Sequence, residues 1–317
     1  MMRIALLLTA LALIPTSANA QRQINPCDFS QSDSPCEIEG GVYRALIPEG
    51  IGPHPAVLYL YGSTGRSRTV TDAAYFRREV VNRGYALLVP AARFTTYPDG
   101  SRDTGWGWSG RAPFHDRDDF AFVRRVIQDA RRRHNIDPKK VIFAGQSDGG
   151  FFIWEIACHR PDMGAAFAVH AGAYGQQLPK SCRRPVKFLQ SHGLRDEVVP
   201  IKGRKRLGRH ALRSDVPGAL EMLARTNRCG KGPLDKGRYF GFKRQGWEDC
   251  APGAALDFLT HSGGHGWPRT WMPAVLDWFE RTQVRPATAI TRRVGDGSSG
   301  FKRSTQSGGR FKSVPKN

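Results

Sequence analysis

A serine flanked by glycines, at residues 145–149, is the first feature whose residue types and spacing could carry chemistry. The segment Gly-Gln-Ser-Asp-Gly places Ser147 in the pattern G-x-S-x-G, which presents a serine hydroxyl on a sharp turn between a strand and a helix. The apolar run 141–144 precedes the pattern and a stretch of helical character, 149–158, follows it. A helix N-terminus behind the serine favours a developing oxyanion. We therefore predict that Ser147 attacks an acyl carbon.

A serine nucleophile needs a general base, and the base needs an acid that orients it. In folds with this type of turn the chain order is nucleophile, acid, base. Asp196 follows a short apolar run typical of a buried strand and is the candidate acid, with the neighbouring Glu197 as the alternative. His265 lies in a glycine-rich loop before the last predicted helix and is the candidate base, with His261 as the alternative. The predicted triad is Ser147, Asp196 and His265.

An oxyanion requires two backbone donors in such a site. The N–H of Asp148, directly after the nucleophile, is one candidate, and the N–H of Ser63, in the loop after an early strand, is the other. The aromatic residues near these loops either line the substrate site or pack in the core. The candidates for lining the substrate site are Tyr61, Gln146, Trp106, Trp108 and Trp267.

Short apolar runs that alternate with helical patterns must position these residues. Runs such as 56–60, 141–144 and 186–189 read as buried strands, and 118–132 reads as a strongly amphipathic helix. This alternation predicts an α/β fold, with a mostly parallel central sheet and helices on both faces.

The N-terminus has the features of a secretory signal peptide over residues 1–20. One positive charge precedes an apolar run at 4–14, and the sequence Ala-Asn-Ala ends at Ala20, the predicted cleavage site. No later stretch is long and apolar enough to predict a membrane span. We predict one catalytic domain over 21–286, followed by a basic, disordered tail over 287–317, in a protein that is periplasmic or secreted.

The formal net charge of +20 is high for a chain of this length. Part of it lies in the tail and part in a basic run at 202–213. Such a field attracts polyanions, and an anionic envelope or an acidic polysaccharide is the partner that we expect for the tail. No motif for specific nucleic-acid recognition accompanies the charge.

Six cysteines in an exported chain predict disulfides. Sequential pairing is the simplest arrangement, although six cysteines allow 15 connectivities. The sequential pairs are Cys27–Cys36, Cys158–Cys182 and Cys229–Cys250. A metal site is not predicted, because the cysteines are scattered and because glycines between His261 and His265 break the helix that a metal-binding pair would require.

These motifs together resemble the extracellular polyhydroxybutyrate-depolymerase and feruloyl-esterase group of α/β-hydrolases. The resemblance covers about residues 55–278. It is carried by 136–150 around the serine, 192–200 around the acid, and 263–268 around the histidine.

The resemblance implies the α/β-hydrolase fold, a Ser-His-Asp triad and an acyl-enzyme, with no metal or organic cofactor. It also supports the sequential disulfides, and it implies that the aromatic stretch 105–108 borders the active site. Two positions depart from the pattern of the group: Tyr61-Gly62 stands where His-Gly is usual, and Gln146 stands where a large apolar residue is usual. These departures leave the polymer substrate open.

The expected function is exported hydrolysis of carboxylic esters by a serine esterase. The expected substrates are polyhydroxyalkanoate oligomers, feruloyl or acetyl esters of polysaccharides, or small esters. One alternative is an exported serine peptidase, because the same triad cleaves amides. Another is a non-catalytic protein that binds polyanions or polysaccharides through its basic surface.

Overall fold

A computed structural model describes residues 27, 34–63, 65–96, 102–108, 117–175, 177–203 and 214–284. The predicted signal peptide, most of the basic run 202–213 and the predicted tail 287–317 lie outside the described residues.

The described residues form a series of strands connected by helices. The strands are β1 (Cys36–Ile38), β2 (Gly41–Leu46), β3 (His54–Leu60), β4 (Ala86–Pro90), β5 (Arg93–Thr96), β6 (Arg102–Gly105), β7 (Ile136–Gln146), β8 (Ala166–His170), β9 (Lys187–Gly193), β10 (Lys231–Tyr239), β11 (Phe242–Glu248) and β12 (Ala255–His261). The helices are α1 (Ser67–Asp72), α2 (Ala74–Glu79), α3 (Asp119–His134), α4 (Asp148–His159), α5 (Val216–Thr226) and α6 (Trp271–Val284).

One large sheet contains ten of these strands in the order β1-β2-β4-β3-β7-β8-β9-β12-β11-β10. The neighbours from β4 to β12 in this order pair in parallel, whereas the pairs at both ends of the sheet are antiparallel. The chain passes from β3 to β4 on one side and later enters β7 on the other side of β3. The order of strands therefore reverses between β3 and β7, and ligands of open α/β sheets bind at the carboxyl ends of the strands at such a point.

The central strands are buried where they pair with their parallel neighbours. Every residue of β4 and β8 is buried, as are five consecutive residues of β7, Val141 to Gly145. Burial on both faces is typical of parallel strands covered by helices on each side. A large, mostly parallel sheet whose strands alternate with helices has the predicted α/β architecture.

Helix α3 illustrates how the sequence sets an element that covers the sheet. The side chain of Asp118 accepts a hydrogen bond from the N–H of Ala121 and so caps the first turn. The helix ends at Asn135, whose φ of 49° lies in the left-handed region that asparagine tolerates. Its buried face includes Phe122 and Val126, which are spaced by four residues as one face of a helix requires.

Two hairpins and a helix break were not visible in the sequence. Strands β10 and β11 form an antiparallel hairpin, but most of β10 is exposed and polar, so it lacks the apolar run used to recognise the other strands. The hairpin of β5 and β6 consists of two strands of four residues each, Arg-Phe-Thr-Thr and Arg-Asp-Thr-Gly, which also lack a continuous apolar run. The segment 73–82, whose spacing indicates one helix, is divided: α2 ends at Glu79 and a 3-10 turn follows over Val81–Arg83. The separate helix α1 comes before it and is joined to α2 by Ala73, where the backbone is extended.

The six cysteines pair as Cys27–Cys36, Cys158–Cys182 and Cys229–Cys250, which is the sequential arrangement expected. The second bridge ties the end of α4 to the segment before β9, and the third spans the β10–β11 hairpin. Each such bridge typically stabilises a fold by about 2–4 kcal/mol. Within the described residues, no helix has the length and apolar character needed to cross a bilayer.

Candidate active site

Ser147 occupies a strained turn between β7 and α4. Its φ of 51° and ψ of −120° are unusual for a residue with a side chain. The turn passes so close to β3 that a Cβ at Gly145 would lie 2.5 Å from the carbonyl oxygen of Leu60, and one at Gly149 would lie 2.1 Å from it. Glycine is therefore required on both sides of the serine, and the strain is concentrated at Ser147 itself.

The surrounding backbone holds this turn in place. The N–H of Ser147 donates to the carbonyl oxygen of His170, at the end of β8, over 3.0 Å, and its carbonyl oxygen accepts from Phe151 within α4. Ser147 stands at the N-cap of α4, yet its side chain makes no capping hydrogen bond. The hydroxyl is therefore not used by the helix.

The loop after β3 approaches the serine from the neighbouring strand. A Cβ built on Gly62 would lie 3.1 Å from Cβ and 3.7 Å from Oγ of Ser147, which places the Gly62 backbone beside the nucleophile. Ser63 follows in an exposed turn, and Asp148 is the first residue of α4, where N–H groups have no partner within their own helix. The loop that contains Ser63 and the first residue of α4 therefore both adjoin Ser147, at the point where the strand order reverses.

The Asp196 carboxylate is buried and receives four hydrogen-bonding groups. One of its oxygens accepts the backbone N–H groups of Val198 and Val199, at 3.0 and 2.8 Å. The other accepts Nδ1–H of His265 at 2.9 Å and lies 3.3 Å from Nε2 of His192. This arrangement fixes the orientation of the His265 ring and leaves Nε2 of that ring as the atom that can accept a proton.

The same contacts determine the charge of Asp196. Burial by itself favours the neutral carboxyl, but hydrogen bonds from His192, His265 and the Val199 N–H outweigh it and hold the pKa of Asp196 well below its usual range. The carboxylate is therefore ionised at neutral pH. A permanent negative charge beside His265 is what stabilises an imidazolium during acyl transfer.

His192 is a residue of this site that sequence reasoning did not single out. Its Nε2–H donates to the carbonyl oxygen of Val199 at 2.7 Å, and its Nδ1 lies 3.3 Å from the Gln190 amide nitrogen. His192 thus lies beside the same Asp196 oxygen that accepts from His265. The spacing His-x-x-x-Asp after a buried strand is the signal in the sequence.

The loops that carry the acid and the histidine are bonded to each other along their backbones. The N–H of Leu194 donates to the carbonyl oxygen of His261 at 2.8 Å, and the N–H of Arg195 donates to that of Gly263 at 3.0 Å. A Cβ at Gly193 would lie 2.1 Å from the carbonyl oxygen of Gly264, so only glycine permits this approach. The register between β9 and β12 therefore brings Asp196 to His265.

Gln146 connects the histidine loop to the nucleophile. Its side-chain amide donates to the backbone carbonyl oxygen of His265 at 3.0 Å. The residue before Ser147 is therefore bonded directly to the loop of His265. Between the described residues Ser147 and His265 themselves there is no hydrogen bond in this structure. Catalytic hydrogen bonds are often long without substrate and tighten in the complex.

The two alternatives considered from the sequence are placed elsewhere. Glu197 is exposed, whereas the neighbouring Asp196 is buried against His265. His261 accepts from the Gly263 N–H at 3.1 Å and stacks on His170 with ring centroids 5.5 Å apart. The contacts therefore favour Asp196 and His265 as the acid and base.

The proposed lining residues divide into two groups. Tyr61, Trp106 and Trp108 are buried, with Trp106 only 1% exposed, and their contacts are with other parts of the protein. Gln146 and Trp267 are half-buried, and Trp267 contacts the rings of Tyr75 and Phe76. Gln146 and Trp267 therefore remain candidates for contact with substrate. Tyr61, Trp106 and Trp108 are buried and contact neighbouring parts of the protein instead.

His170, directly behind the nucleophile turn, is fully buried and neutral. Its Nδ1–H donates to the hydroxyl of Ser191 at 2.9 Å, because that hydroxyl uses its own proton on the carbonyl oxygen of Val169. Within the described part of the chain, its Nε2 has no hydrogen-bond partner. Burial, reinforced by the neighbouring histidines, lowers the pKa of His170 to about 3.

Acid is therefore expected to destabilise the fold below about pH 6.5, where unfolded histidine becomes protonated. Between that pH and the folded pKa of about 3, the unfolded state binds a proton that native His170 does not. The free energy of unfolding should then fall by about 1.4 kcal/mol for each pH unit. His261, whose pKa is also lowered by burial, acts in the same direction. The stabilising charge of Asp196 is lost only at lower pH, because its unfolded pKa is already near 3.8.

Urea unfolding from pH 7 to pH 4.5 measures this slope. His170→Asn keeps a donor toward Ser191 but removes the titrating ring. We expect its free energy of unfolding to depend less steeply on pH than that of the unmodified protein, by nearly the contribution of one bound proton, about 1.4 kcal/mol per pH unit. An identical slope in both proteins would contradict the assignment of His170 as a buried neutral group.

The described residues contain one group of potential metal ligands, Cys27, Cys36 and His134, all buried. The two sulfurs are joined in a disulfide, so they do not present thiolates to a metal. The group lies beside α3 and is separate from the loops around Ser147.

Curated proteins with similar sequences are esterases. The chain is 26% identical over 277 residues to "Putative esterase NocK" of Nocardia uniformis subsp. tsuyamanensis, a match that covers 78% of this chain and 76% of that protein. It is 24% identical over 201 residues to "Probable feruloyl esterase C" of Aspergillus clavatus, covering 61% of this chain and 69% of that one. No protein-family model matches the sequence.

Solved structures share the fold. An acetyl xylan esterase from Aspergillus awamori aligns with a TM-score of 0.54 at 13% identity, over 75% of this chain and 93% of that one. A Bacillus cereus carboxylesterase aligns with a TM-score of 0.50 at 11% identity, over 76% and 94% of the two chains. The fold is that of the α/β-hydrolases. With the curated relatives, these findings confirm the predicted resemblance to the feruloyl-esterase group and the predicted enzyme class, a carboxylic ester hydrolase.

Proposed function

We propose that this chain is an exported serine esterase that cleaves carboxylic esters through Ser147, His265 and Asp196. The observation that carries the proposal is the hydrogen bond between His265 and the buried, ionised Asp196. The backbone of His265 also accepts a hydrogen bond from the side chain of Gln146, the residue before the strained turn at Ser147.

The reaction follows from these positions. His265 takes the Ser147 proton through Nε2 as Oγ attacks the ester carbonyl, and Asp196 stabilises the resulting imidazolium. The backbone N–H groups of Ser63 and Asp148 receive the oxyanion. His265 then protonates the departing alcohol, which leaves an acyl-enzyme on Ser147. Water, activated by the same histidine, attacks the acyl carbon and releases the acid and the free serine.

Export is supported by the disulfides and by the N-terminal sequence. Three disulfides are typical of proteins that mature in an oxidising compartment. Residues 1–20 carry the charge, apolar run and small-residue site of a signal peptide. The positive charge of the basic run and the tail would attract an anionic envelope or polysaccharide.

The substrate class follows from the relatives and from the residues left facing the site. Two curated relatives are named as feruloyl esterases from Aspergillus, and a solved structure with this fold is an acetyl xylan esterase. Trp267 is half-buried and lies two residues after His265 in the sequence, and an aromatic ring in this loop suits a planar acyl group such as a ferulate. Feruloyl or acetyl esters of polysaccharides are therefore our first choice, ahead of polyhydroxyalkanoate oligomers.

A series of ester substrates tests this proposal. Purified mature protein is given p-nitrophenyl esters from acetate to decanoate, methyl ferulate, a polyhydroxybutyrate oligomer and p-nitroanilides with matching acyl groups. We expect turnover of the short p-nitrophenyl esters and of methyl ferulate, with no measurable cleavage of the anilides. Cleavage of the anilides at comparable rates would favour the peptidase alternative instead.

A further inference from the structure

The tryptophan strap, residues 104–108, lies between the two loops that carry the proposed oxyanion donors. The indole N–H of Trp106 donates to the carbonyl oxygen of Tyr61, in the loop of the first donor, at 2.9 Å. The backbone N–H of Trp106 and the indole N–H of Trp108 donate to the two carboxylate oxygens of Asp148, at 2.8 and 2.7 Å. The strap is therefore bonded to both loops at once.

Further hydrogen bonds fix the strap at both ends. The hydroxyl of Thr104 donates to the carbonyl oxygen of Gly65 at 3.1 Å, further along the first loop. The N–H of Gly107 donates to the Asp119 carboxylate at 2.6 Å, and the other oxygen of that carboxylate accepts from the Arg117 guanidinium at 2.5 Å. The strap is thus hydrogen-bonded to the N-terminus of α3 as well as to the two loops that carry the proposed oxyanion donors.

Both indole rings pack against side chains of α4. Trp106 stacks on Phe152 with an interplanar angle of 5°, and Trp108 stacks on Phe151 with ring centroids 4.8 Å apart. A Cβ at Gly175 would lie 2.3 Å from the Trp108 ring, so only glycine fits at position 175. Rings packed this closely cannot shift without moving the helix that begins at the nucleophile.

We propose that Trp106 and Trp108 are positioning residues that act through Asp148 to set the geometry of the oxyanion hole. This inference rests on the proposed esterase function. A donor stabilises an oxyanion only when it is held about 2.7–3.1 Å from the place where the charge develops. Trp106 bonds to Tyr61, two residues before Ser63, and both tryptophans hold the side chain of Asp148, whose own N–H is the second donor. The strap therefore fixes the separation of the two donors.

Variants that remove one indole N–H each test the proposal. In Trp106→Phe and Trp108→Phe, we expect kcat for p-nitrophenyl acetate to fall about 10- to 100-fold while KM changes less than about twofold. The inhibition constant of an aryl trifluoromethyl ketone should rise by the same factor as kcat falls. Its hemiketal with Ser147 places an oxyanion in the hole, whereas the ground-state ester does not.

Trp278→Phe is the matched control. The indole N–H of Trp278 also donates to a buried aspartate, Asp257, at 2.7 Å, but between α6 and β12. We expect this variant to lose stability like the strap variants while its kcat and inhibition constant stay unchanged. Thermal unfolding verifies that each variant is folded. If Trp106→Phe does not fold, Trp108→Phe carries the test, because its indole N–H reaches only the Asp148 side chain.

The outcomes separate this inference from the proposed function. If the unmodified protein hydrolyses esters and folded Trp108→Phe keeps its kcat and inhibition constant, the positioning role is wrong and the esterase function stands. A rise in KM with unchanged kcat would likewise overturn it and would assign the strap to substrate binding. If the unmodified protein neither turns over esters nor binds the ketone, the proposed function fails and this inference fails with it.

Discussion

Replacing Ser147 with alanine is expected to lower kcat for p-nitrophenyl acetate by roughly 10⁵- to 10⁶-fold, because the attacking atom is removed and the rest of the triad has nothing to activate. The effect should fall on kcat, because the loops that bind the ester remain in place. Steady-state and single-turnover hydrolysis measure it. The matched control is Ser181→Ala, an exposed serine in the loop before β9, which should be fully active.

The strained turn adds a second expectation for the same position. Ser147 has a φ of 51°, a conformation that costs energy for any residue with a Cβ. Ser147→Gly should therefore be as inactive as Ser147→Ala but more stable than it by about 1 kcal/mol. Equal stability of the two variants would contradict the view that the turn stores strain. A kcat in either variant within about 10³-fold of the unmodified protein's would contradict the role of Ser147.

Replacing Asp196 with asparagine is expected to lower kcat by about 10⁴-fold. The carboxylate accepts Nδ1–H of His265, and this bond keeps Nε2 of the ring free to take the serine proton. An asparagine amide can donate to Nδ1 instead, which stabilises the wrong tautomer. It also removes the charge that stabilises the imidazolium.

Glu197→Gln provides the matched control for Asp196→Asn. The two side chains are adjacent in sequence and lose the same charge, but Glu197 is exposed. Its kcat should therefore stay within about twofold of the unmodified protein, as is usual for surface substitutions. If Glu197→Gln were the more damaging of the two, the assignment of the acid would be wrong.

The tight turn at Ser147 and the central sheet were predictable from the sequence because their signals are local. The turn at Ser147 depends on the glycines at 145 and 149 and on the apolar strand before them. The buried strands are continuous apolar runs. The contact between Asp196 and His265 was expected from the chain order of the triad in addition, since each residue follows a largely buried strand.

The contacts that hold the site together were not predictable, because they join segments far apart in sequence. Gln146 donates to the backbone of His265, 119 positions away. The N–H of Arg195 donates to the carbonyl oxygen of Gly263 because β9 and β12 are neighbours in the sheet. The tryptophans at 106 and 108 carried an aromatic signal, but their spacing does not show that their N–H groups face inward.

Covalent labelling tests the central claim most directly. The mature protein is treated with a fluorophosphonate, the adduct is counted by intact mass, and its position is found by peptide mapping. We predict one adduct per folded chain, on Ser147, that forms as esterase activity is lost and is absent from Ser147→Ala. Loss of activity with the adduct on another residue, or an active enzyme that stays unlabelled, would contradict the account.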